Sequence, residues 1–338
     1  MVDPTALSDL SGLRDILRTN NVDVCGELRS ELISGGRSNL TYLLRDDNTR
    51  WVLRRPPTAG LTQSAHDVGR EYRVVSGLQH SGVPVAPAVT LCEDTTILGF
   101  PFAVFGFVDG DVVRTRDELT QLDDNAITRC ATELVRTLAA LHAVDYTAHG
   151  LSDLGRPTGF PLRQAQRWAR QWEDVRSADT PDAQALTGWL LDNAPELSGA
   201  AVVHGDFRVD NVMIDADTGA VRAVLDWELS TLGDPLTDIA LMCACRDPLF
   251  DKVLGFPAAW TSPRWPSPAE LAHRYSVETG RDLVHWRFYQ ALAYFKLAVI
   301  AAGIAYRHRS GATSDDQFRR AGDSVDGLFA AGLRAARS

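Results

Sequence analysis

The pattern of apolar and polar positions changes character near residue 108. Before it, short segments alternate with a period of two, as in β-strands, whose successive side chains point to opposite faces. The predicted strands cover residues 28–34, 39–45, 50–54 and 102–105, and one predicted helix covers residues 64–79. This part of the chain therefore predicts a small, strand-rich lobe.

After residue 108, apolar residues recur mainly at helical spacing. The clearest stripe consists of Ile127, Cys130, Leu134, Leu138 and Leu141, and it predicts a helix over residues 124–142. Further predicted helices cover residues 163–175, 182–193, 235–245, 268–279, 284–306 and 315–335. The predicted class is α+β, with an N-terminal antiparallel sheet lobe of residues 1–108 and a larger helical lobe of residues 109–338.

A polar run at residues 203–211 interrupts the helical part, and it reads Val-His-Gly-Asp-Phe-Arg-Val-Asp-Asn. An apolar segment at residues 200–203 predicts a short buried strand that enters this run. Residues 212–214 and 221–225 predict a hairpin that follows it, with the turn at residues 215–219. Because a hairpin reverses the chain, we expect it to bring Asp226 back toward Asn211.

These residue types suit the transfer of a γ-phosphoryl group. That reaction needs a carboxylate that accepts the proton of the attacking hydroxyl, and oxygen ligands that hold Mg²⁺. We interpret Asp206 as the catalytic base and Arg208 as a cation that neutralises charge on the transferred group, with Asn211 and Asp226 as Mg²⁺ ligands. The alternative is that these are turn-forming residues beside strands. The ordered set as a whole favours the functional interpretation.

A glycine-containing loop lies between the first two predicted strands and includes Gly35, Gly36, Ser38 and Asn39. Glycine lets backbone amides approach a phosphate without interference from a Cβ atom. We interpret these four residues as part of a nucleotide site. An ordinary hairpin turn is the alternative.

The third predicted strand carries two adjacent arginines, Arg54 and Arg55. Only one of them can face the nucleotide, because neighbouring side chains of a strand point to opposite faces. We prefer Arg54, which shares a face with Val52, and expect it to pair with Glu71 on the following helix. The alternative is a surface ion pair that stabilises the fold by only about 0–1 kcal/mol.

The segment after the predicted strand at residues 102–105 is a candidate adenine-binding hinge. We expect backbone groups of Gly106 and Val108 to pair with the edge of the base. The phenylalanines around them also suit a role in core packing.

Composition narrows the class of protein. The 338 residues are 45% hydrophobic and carry a formal net charge of -10, without a basic tract, which argues against a nucleic-acid partner. Five cysteines without metal-ligand spacing indicate reduced thiols in a cytoplasmic protein. We expect no secretory signal at the N-terminus and no membrane partner, because the most apolar segment, residues 291–306, is too short to span a membrane.

The His204-Gly-Asp motif, followed by Asn211 and Asp226, resembles the aminoglycoside phosphotransferase and choline kinase family, which is protein-kinase-like. Residues 52–57, 64–72 and 233–238 resemble the branch whose relatives include kinase domains fused to acyl-CoA dehydrogenases. The resemblance implies a bilobal kinase-like fold and an ATP- and Mg²⁺-dependent phosphotransferase that acts on a hydroxyl of a small molecule. One branch implies a hydroxyacyl-CoA-like acceptor, and the family name implies an aminoglycoside-like antibiotic.

We expect the acceptor pocket in the helical lobe, with contributions from Tyr289, Tyr294, Lys296 and Arg307. Core packing of the aromatic residues and solvation of the charges is an equal alternative. A nucleotide-binding regulatory module with little or no turnover is the alternative function. The sequence does not decide the acceptor, the choice between ATP and GTP, or the oligomeric state.

Overall fold

A computed structural model describes residues 7, 9–34, 39–57, 67–177, 180–196, 199–310 and 317–337. The chain forms two compact units. The N-terminal unit comprises Met1–Asp109, Thr147–Leu151 and Arg222–Ser230, and the C-terminal unit comprises Gly110–Tyr146, Ser152–Val221 and Thr231–Ser338. Two later segments of the chain therefore belong to the N-terminal unit.

The N-terminal unit is built on an antiparallel sheet with the strand order β1-β2-β3-β5-β4. The strands are β1 (Arg29–Ser34), β2 (Leu40–Arg45), β3 (Arg50–Arg55), β4 (Ala88–Cys92) and β5 (Phe102–Gly106). The helices are α1 (Ser11–Thr19), α2 (Val68–Leu78) and α3 (Thr95–Leu98). The sequence did not predict β4, which follows Pro84 and Pro87, because proline is rare inside strands and weakens the strand pattern.

One face of this sheet packs on α1. Leu13 and Leu17 of α1 and Trp51 and Leu53 of β3 belong to the same buried cluster. The side chains of β3 alternate between this core and the opposite face, so Arg54 points away from α1. The predicted helix over residues 64–79 is present as α2, which begins after Asp67 because the Asp67 side chain accepts a hydrogen bond from the Arg70 amide. Residues 64–66 lie outside the described residues.

The C-terminal unit is mainly helical. Its helices are α4 (Arg116–Leu119), α5 (Asp124–Ala143), α6 (Phe160–Val175), α7 (Pro181–Asp192), α8 (Leu236–Ala244), α9 (Leu249–Leu254), α10 (Pro268–Thr279), α11 (Trp286–Arg309), α12 (Gln317–Gly322) and α13 (Val325–Arg337). Strand β6 (Ala201–Val203) pairs antiparallel with β9 (Thr231–Gly233), and β7 (Val212–Ile214) precedes the predicted turn. Strand β8 (Val221–Val224) follows the turn, and all of its residues except Val221 belong to the N-terminal unit. The five residues of the stripe that predicted α5 are all buried.

Helix α11 lies in the core of the C-terminal unit. Its length and apolar composition would allow it to cross a membrane, but 78% of its most apolar window is buried within the protein. The predicted helix over residues 284–306 is therefore present and mostly buried, although it is longer than the apolar segment 291–306 on which the expectation of no membrane span was based. The helix extends beyond the predicted end at residue 306 and continues to Arg309.

The predicted single helix over residues 315–335 is wrong in one respect, because two helices occupy the described part of this range. Asp323 and Ser324 form a turn in which their amides donate to the carbonyls of Arg320 and Ala321, three residues earlier. The Ser324 hydroxyl also donates to the Ala321 carbonyl, at 2.7 Å. Serine competes in this way with the regular helical hydrogen bonds, so the helix ends at Gly322 and restarts at Val325.

Candidate active site

The polar run after β6 folds into a loop that orients Asp206. Gly205 adopts the left-handed backbone conformation, with φ of +84°, which favours glycine directly before the carboxylate. The Asn211 side-chain amide donates to the Asp206 backbone carbonyl at 2.7 Å and to the Asp206 carboxylate at 2.9 Å. Because this uses the nitrogen of Asn211, its side-chain oxygen remains as a ligand atom suited to a hard cation.

Arg208 completes what we call the loop cluster, which consists of Asp206, Arg208 and Asn211. The Arg208 guanidinium lies 3.1 Å from the Asp206 carboxylate and 3.2 Å from that of Asp210. It also stacks over the Phe250 ring, 5.0 Å from the centroid. Sequence reasoning missed Asp210, although its position two residues after Arg208 within the motif could have suggested a partner. Burial raises the pKa of Asp210, and the Arg208 charge opposes that shift.

Asp238, on α8, anchors the start of the loop that carries the loop cluster. Its carboxylate accepts hydrogen bonds from the backbone amides of His204 and Gly205, at 2.6 and 2.8 Å. His142 on α5 lies 3.2 Å from the same carboxylate, and its other ring nitrogen lies 2.7 Å from the Tyr275 hydroxyl. Burial alone would raise the pKa of Asp238, but its contacts with His142 and His204 outweigh burial and lower it. Asp238 therefore holds the loop rather than a substrate.

The residues of α11 that sequence reasoning assigned to an acceptor pocket lie in different surroundings. Tyr289 is buried, and its hydroxyl donates to Asp234 at 2.8 Å, which fits the alternative of core packing. Lys296 contacts the polar loop after β6, where its ammonium donates to the Gly205 carbonyl at 2.6 Å. Arg307 is exposed near the end of the helix.

A second polar cluster, which we call the arginine cluster, lies in the N-terminal unit and consists of Arg54, Glu71 and Asp226. Arg54 lies 2.8 Å from the Glu71 carboxylate and 3.4 Å from that of Asp226. The predicted ion pair between Arg54 and Glu71 is therefore present. Asp226 has a left-handed backbone with φ of +64°, which costs a non-glycine residue about 1–3 kcal/mol.

Three carboxylates, those of Glu71, Asp226 and Glu228, act on the guanidinium of Arg54. Burial raises the pKa of Glu71 to about 7, with Asp226 and Glu228 adding to the shift and Arg54 opposing it. Burial would lower the pKa of Arg54, but the same three carboxylates outweigh it and raise that pKa. Arg54 therefore stays charged, and Glu71 is the group of the pair that can titrate near neutral pH.

Arg55 points to the opposite face of β3, into the apolar core. Its guanidinium lies 4.2 Å from the Phe100 ring centroid and donates to the Tyr42 hydroxyl at 3.0 Å. It is buried and lies away from Glu71. This geometry supports the preference for Arg54 over Arg55 as the arginine that faces the nucleotide.

Of the four residues predicted in the glycine-containing loop, the structure describes only Asn39. Gly35, Gly36 and Ser38 lie outside the described residues. Asn39 is buried, and its side-chain amide acts to lower the pKa of Glu71, although neither amide atom makes a hydrogen bond of ordinary geometry to another described residue.

Of the two predicted hinge residues, Gly106 is the last residue of β5 and Val108 lies beyond the end of that strand. The amide of Gly106 donates to the Pro87 carbonyl at 2.7 Å, so a contact between this residue and adenine would have to use its carbonyl. The role of Val108, two residues further on, stays a prediction.

No group of three or more His, Cys, Asp and Glu side chains is arranged to hold a metal ion within the described part of the chain. The predicted ligands Asn211 and Asp226 are an amide and a carboxylate, the oxygen donors that Mg²⁺ accepts. Mg²⁺ in nucleotide enzymes usually binds one or two protein side chains and takes its remaining ligands from phosphates and water. The donor set fits that pattern.

The sequence and the fold of this chain are similar to those of known phosphotransferases. Residues 30–289 match the model of the phosphotransferase enzyme family. A Ralstonia eutropha crystal structure, provisionally named as an aminoglycoside phosphotransferase, is 32% identical, with a TM-score of 0.84 over 97% of this chain and 98% of that one. Mouse acyl-CoA dehydrogenase family member 10 is 32% identical over 87% of this chain. A complex of aminoglycoside phosphotransferase APH(4)-Ia with AMP-PNP and hygromycin B shares only the fold, at 16% identity and a TM-score of 0.59 over 90% of this chain and 93% of that one.

These similarities confirm the predicted family resemblance, including the branch fused to acyl-CoA dehydrogenases, and the predicted kinase-like α+β fold. The chain spans 28% to 41% of the length of the first curated relatives that it matches. Their similarity to this chain therefore concerns only part of each protein.

Proposed function

The chain belongs to the phosphotransferase enzyme family, and from that premise we propose that it transfers the γ-phosphate of ATP to a hydroxyl of a small molecule. The observation that carries the proposal is the loop cluster, in which Asn211 and Arg208 both contact the carboxylate of Asp206. In this proposal the acceptor O–H proton passes to Asp206. The hydroxyl oxygen forms a bond to the γ-phosphorus, and the bond from that phosphorus to the oxygen of ADP breaks.

The other residues position charge around this step. Arg208 donates to oxygens of the transferred group, and Asp210 keeps its guanidinium in place. Arg54, held by Glu71, contacts the nucleotide phosphates. We propose that Asn211 and Asp226 bind Mg²⁺, and bound Mg²⁺ neutralises charge on the phosphate oxygens. Gly35, Gly36, Ser38, Asn39, Gly106 and Val108 keep their predicted roles as contacts to the nucleotide.

Two acceptor classes follow from the relatives. The relatives named as acyl-CoA dehydrogenases favour a hydroxyacyl-CoA-like compound, whereas the crystal structure from Ralstonia eutropha favours an aminoglycoside-like one. We place the enzyme in the cytoplasm.

A panel of acceptors tests this function directly. The purified chain is incubated with ATP and Mg²⁺ and with kanamycin, choline, β-hydroxybutyrate or β-hydroxybutyryl-CoA, and ADP release and the mass of each acceptor are measured. We expect one acceptor to gain a phosphoryl group, and we expect EDTA to stop the reaction. Nucleotide binding without a mass gain in any acceptor would favour the regulatory module instead.

A further inference from the structure

Asp226, a proposed Mg²⁺ ligand, lies in a short segment whose two ends are held by other parts of the N-terminal unit. We call residues 224–230 the Asp226 segment. It starts at the last residue of β8 and contains one 3₁₀ turn, Trp227–Leu229. The left-handed backbone of Asp226 is unfavourable for a residue other than glycine, and such a conformation persists only where its surroundings hold it. The contacts of this segment therefore determine where the Asp226 carboxylate points.

The start of the segment is held by backbone contacts and by a buried indole. The Val224 amide donates to the Pro84 carbonyl at 2.8 Å. The indole nitrogen of Trp227 donates to the Val224 carbonyl at 3.0 Å, and the Trp227 side chain is buried. These contacts fix the chain on the near side of the turn.

The far end of the segment is held by a side chain of helix α2. The Ser230 amide closes the turn, because it donates to the Trp227 carbonyl at 3.1 Å. The Ser230 carbonyl accepts two hydrogen bonds from the guanidinium of Arg70, at 2.6 Å from a terminal nitrogen and 3.1 Å from Nε. Hydrogen bonds from a charged donor are roughly twice as strong as neutral ones. Ser230 is buried and Arg70 is half-buried, so this contact is partly shielded from water.

Arg70 and Glu71 are neighbours in the first turn of α2, but they contact different partners. Successive residues of an α-helix point about 100° apart. Glu71 therefore reaches Arg54 on β3, at 2.8 Å. Arg70 reaches Ser230 instead. One helical turn thus positions the carboxylate that pairs with Arg54 and, through the Asp226 segment, a second carboxylate 3.4 Å from the same guanidinium.

Helix α2 has other contacts that fix its own position. Val74 and Leu78 are fully buried on one of its faces. The Asp67 side chain caps its first turn through the backbone amide of Arg70, which a change of the Arg70 side chain retains. Loss of the Arg70 guanidinium should therefore leave α2 in place and free only the far end of the Asp226 segment.

We propose that Arg70 is a positioning residue, which holds the Ser230 carbonyl and thereby keeps the Asp226 carboxylate oriented for Mg²⁺. In this role it acts through the Asp226 segment and touches neither nucleotide nor acceptor. The inference rests on the proposed function, because it uses the assignment of Asp226 as a Mg²⁺ ligand. Loss of Arg70 should weaken the contribution of Mg²⁺ to nucleotide binding and spare the contribution of Arg54.

The first test compares Arg70→Met with Arg18→Met, which removes an exposed arginine of α1 in the same unit. AMP-PNP is titrated calorimetrically into each chain without Mg²⁺ and over a series of Mg²⁺ concentrations. For Arg70→Met we expect the Mg²⁺ concentration that gives half of the gain in affinity to rise roughly tenfold, the value of a hydrogen bond to a charged group. Without Mg²⁺ the affinity should stay within about twofold, because Arg54 is unchanged.

Two further variants complete this comparison. Arg18→Met should match the unmodified chain. Arg70→Lys should recover part of the loss, because it keeps the charge but not the planar fork of donors. Should Arg70→Met fail to fold, Arg70→Lys carries the same comparison, with a smaller expected rise in the Mg²⁺ requirement.

A second measurement needs neither metal nor nucleotide. Hydrogen exchange of the free protein, followed by mass spectrometry, reports how often the amides of the Asp226 segment open. Arg70→Met should speed exchange in peptides that cover residues 224–230 roughly tenfold, since the turn loses its charged partner. Exchange in peptides of α2 should stay within about twofold, which also shows that the variant is folded.

A purely structural role of Arg70 gives a different result. In that case Arg70→Met lowers stability, but the Mg²⁺ dependence of AMP-PNP binding stays equal to that of Arg18→Met, and this outcome overturns the proposal. Unchanged exchange of the Asp226 segment overturns it as well. If Mg²⁺ gives the unmodified chain no gain in AMP-PNP affinity, the positioning role toward the metal is also wrong.

These measurements separate the inference from the proposed function, because neither requires turnover. If Arg70→Met raises the Mg²⁺ requirement and speeds exchange while no acceptor gains a phosphoryl group, the positioning role stands and the phosphotransferase function fails. If transfer occurs but Arg70→Met changes neither quantity, the function stands and the positioning role fails.

Discussion

The loop cluster and the arginine cluster each contain an arginine that contacts a carboxylate, but they are held in different ways. The loop cluster spans six residues of one segment, and Asp238 anchors it through two backbone amides. The arginine cluster joins residues from β3, from α2 and from the segment after β8. The side chain of Asp206 is 27% exposed, whereas that of Glu71 is 3% exposed.

This difference in exposure separates substitutions that should affect stability from those that should affect turnover. Asp206 retains access to solvent, so its substitution should leave the fold largely intact. Glu71 and Asp238 are buried charges with specific partners, and removal of such a charge leaves the partner without compensation. The predictions below test this division.

The largest effect on stability is expected for Asp238→Ala. This change leaves His142 and the amides of His204 and Gly205 without their carboxylate partner. We expect the free energy of unfolding to fall by about 2–6 kcal/mol, because the two buried amides lose their acceptor at a cost of about 1–3 kcal/mol each. Urea unfolding measures the change, and Asp238→Asn, which keeps one acceptor oxygen, should lose less. A loss below about 1 kcal/mol would mean that Asp238 is not the anchor of the loop.

Glu71→Gln tests the titration of the arginine cluster. Unfolded Glu71 ionises near pH 4.5, whereas the folded protein holds that proton until about pH 7, because the pKa is raised. The Glu71 contribution to stability is therefore full below pH 4.5 and falls as the pH rises toward 7. Relative to Glu71→Gln, we expect the original chain to lose up to about 3 kcal/mol over this range. Urea unfolding at several pH values gives both curves, and parallel curves would contradict the raised pKa.

A smaller effect separates the two adjacent arginines of β3. Arg55→Met removes hydrogen bonds to the Tyr42 hydroxyl and the Pro56 carbonyl and cation–π contacts with the Tyr42 and Phe100 rings, so we expect a loss of about 1–3 kcal/mol in stability and no change in ATP affinity. Arg54→Met should instead weaken ATP binding by roughly tenfold or more. Calorimetric titration with ATP compares the two variants. Equal ATP affinities would remove Arg54 from the phosphate site.

Much of the fold and part of the loop cluster could be predicted from local sequence. Periodicity identified β1, β2, β3 and β5, and the predicted range of α10 matches the structure residue for residue. The motif at residues 203–211 predicted one polar loop that carries Asp206, Arg208 and Asn211, and all three side chains do meet there, because a fixed local spacing constrains a short loop.

Other features depend on tertiary packing and left no local signal. Sequence reasoning could not foresee that Arg55 would lie between Tyr42 and Phe100, because those partners come from other strands and loops. The contact of His142 with Asp238 joins residues 96 positions apart. A lone histidine on an amphipathic helix gives no indication of such a partner.

Phosphoryl transfer by Asp206→Asn, with Asp217→Asn as the matched control, decides whether Asp206 is the base. Asp217 is an exposed residue of the turn between β7 and β8, so its change should leave transfer intact. For Asp206→Asn we predict that kcat falls roughly a hundredfold to ten-thousandfold, the contribution of a positioned general base, while ATP affinity stays within about threefold. A kcat for Asp206→Asn equal to that of Asp217→Asn would contradict the assignment of Asp206 as the base.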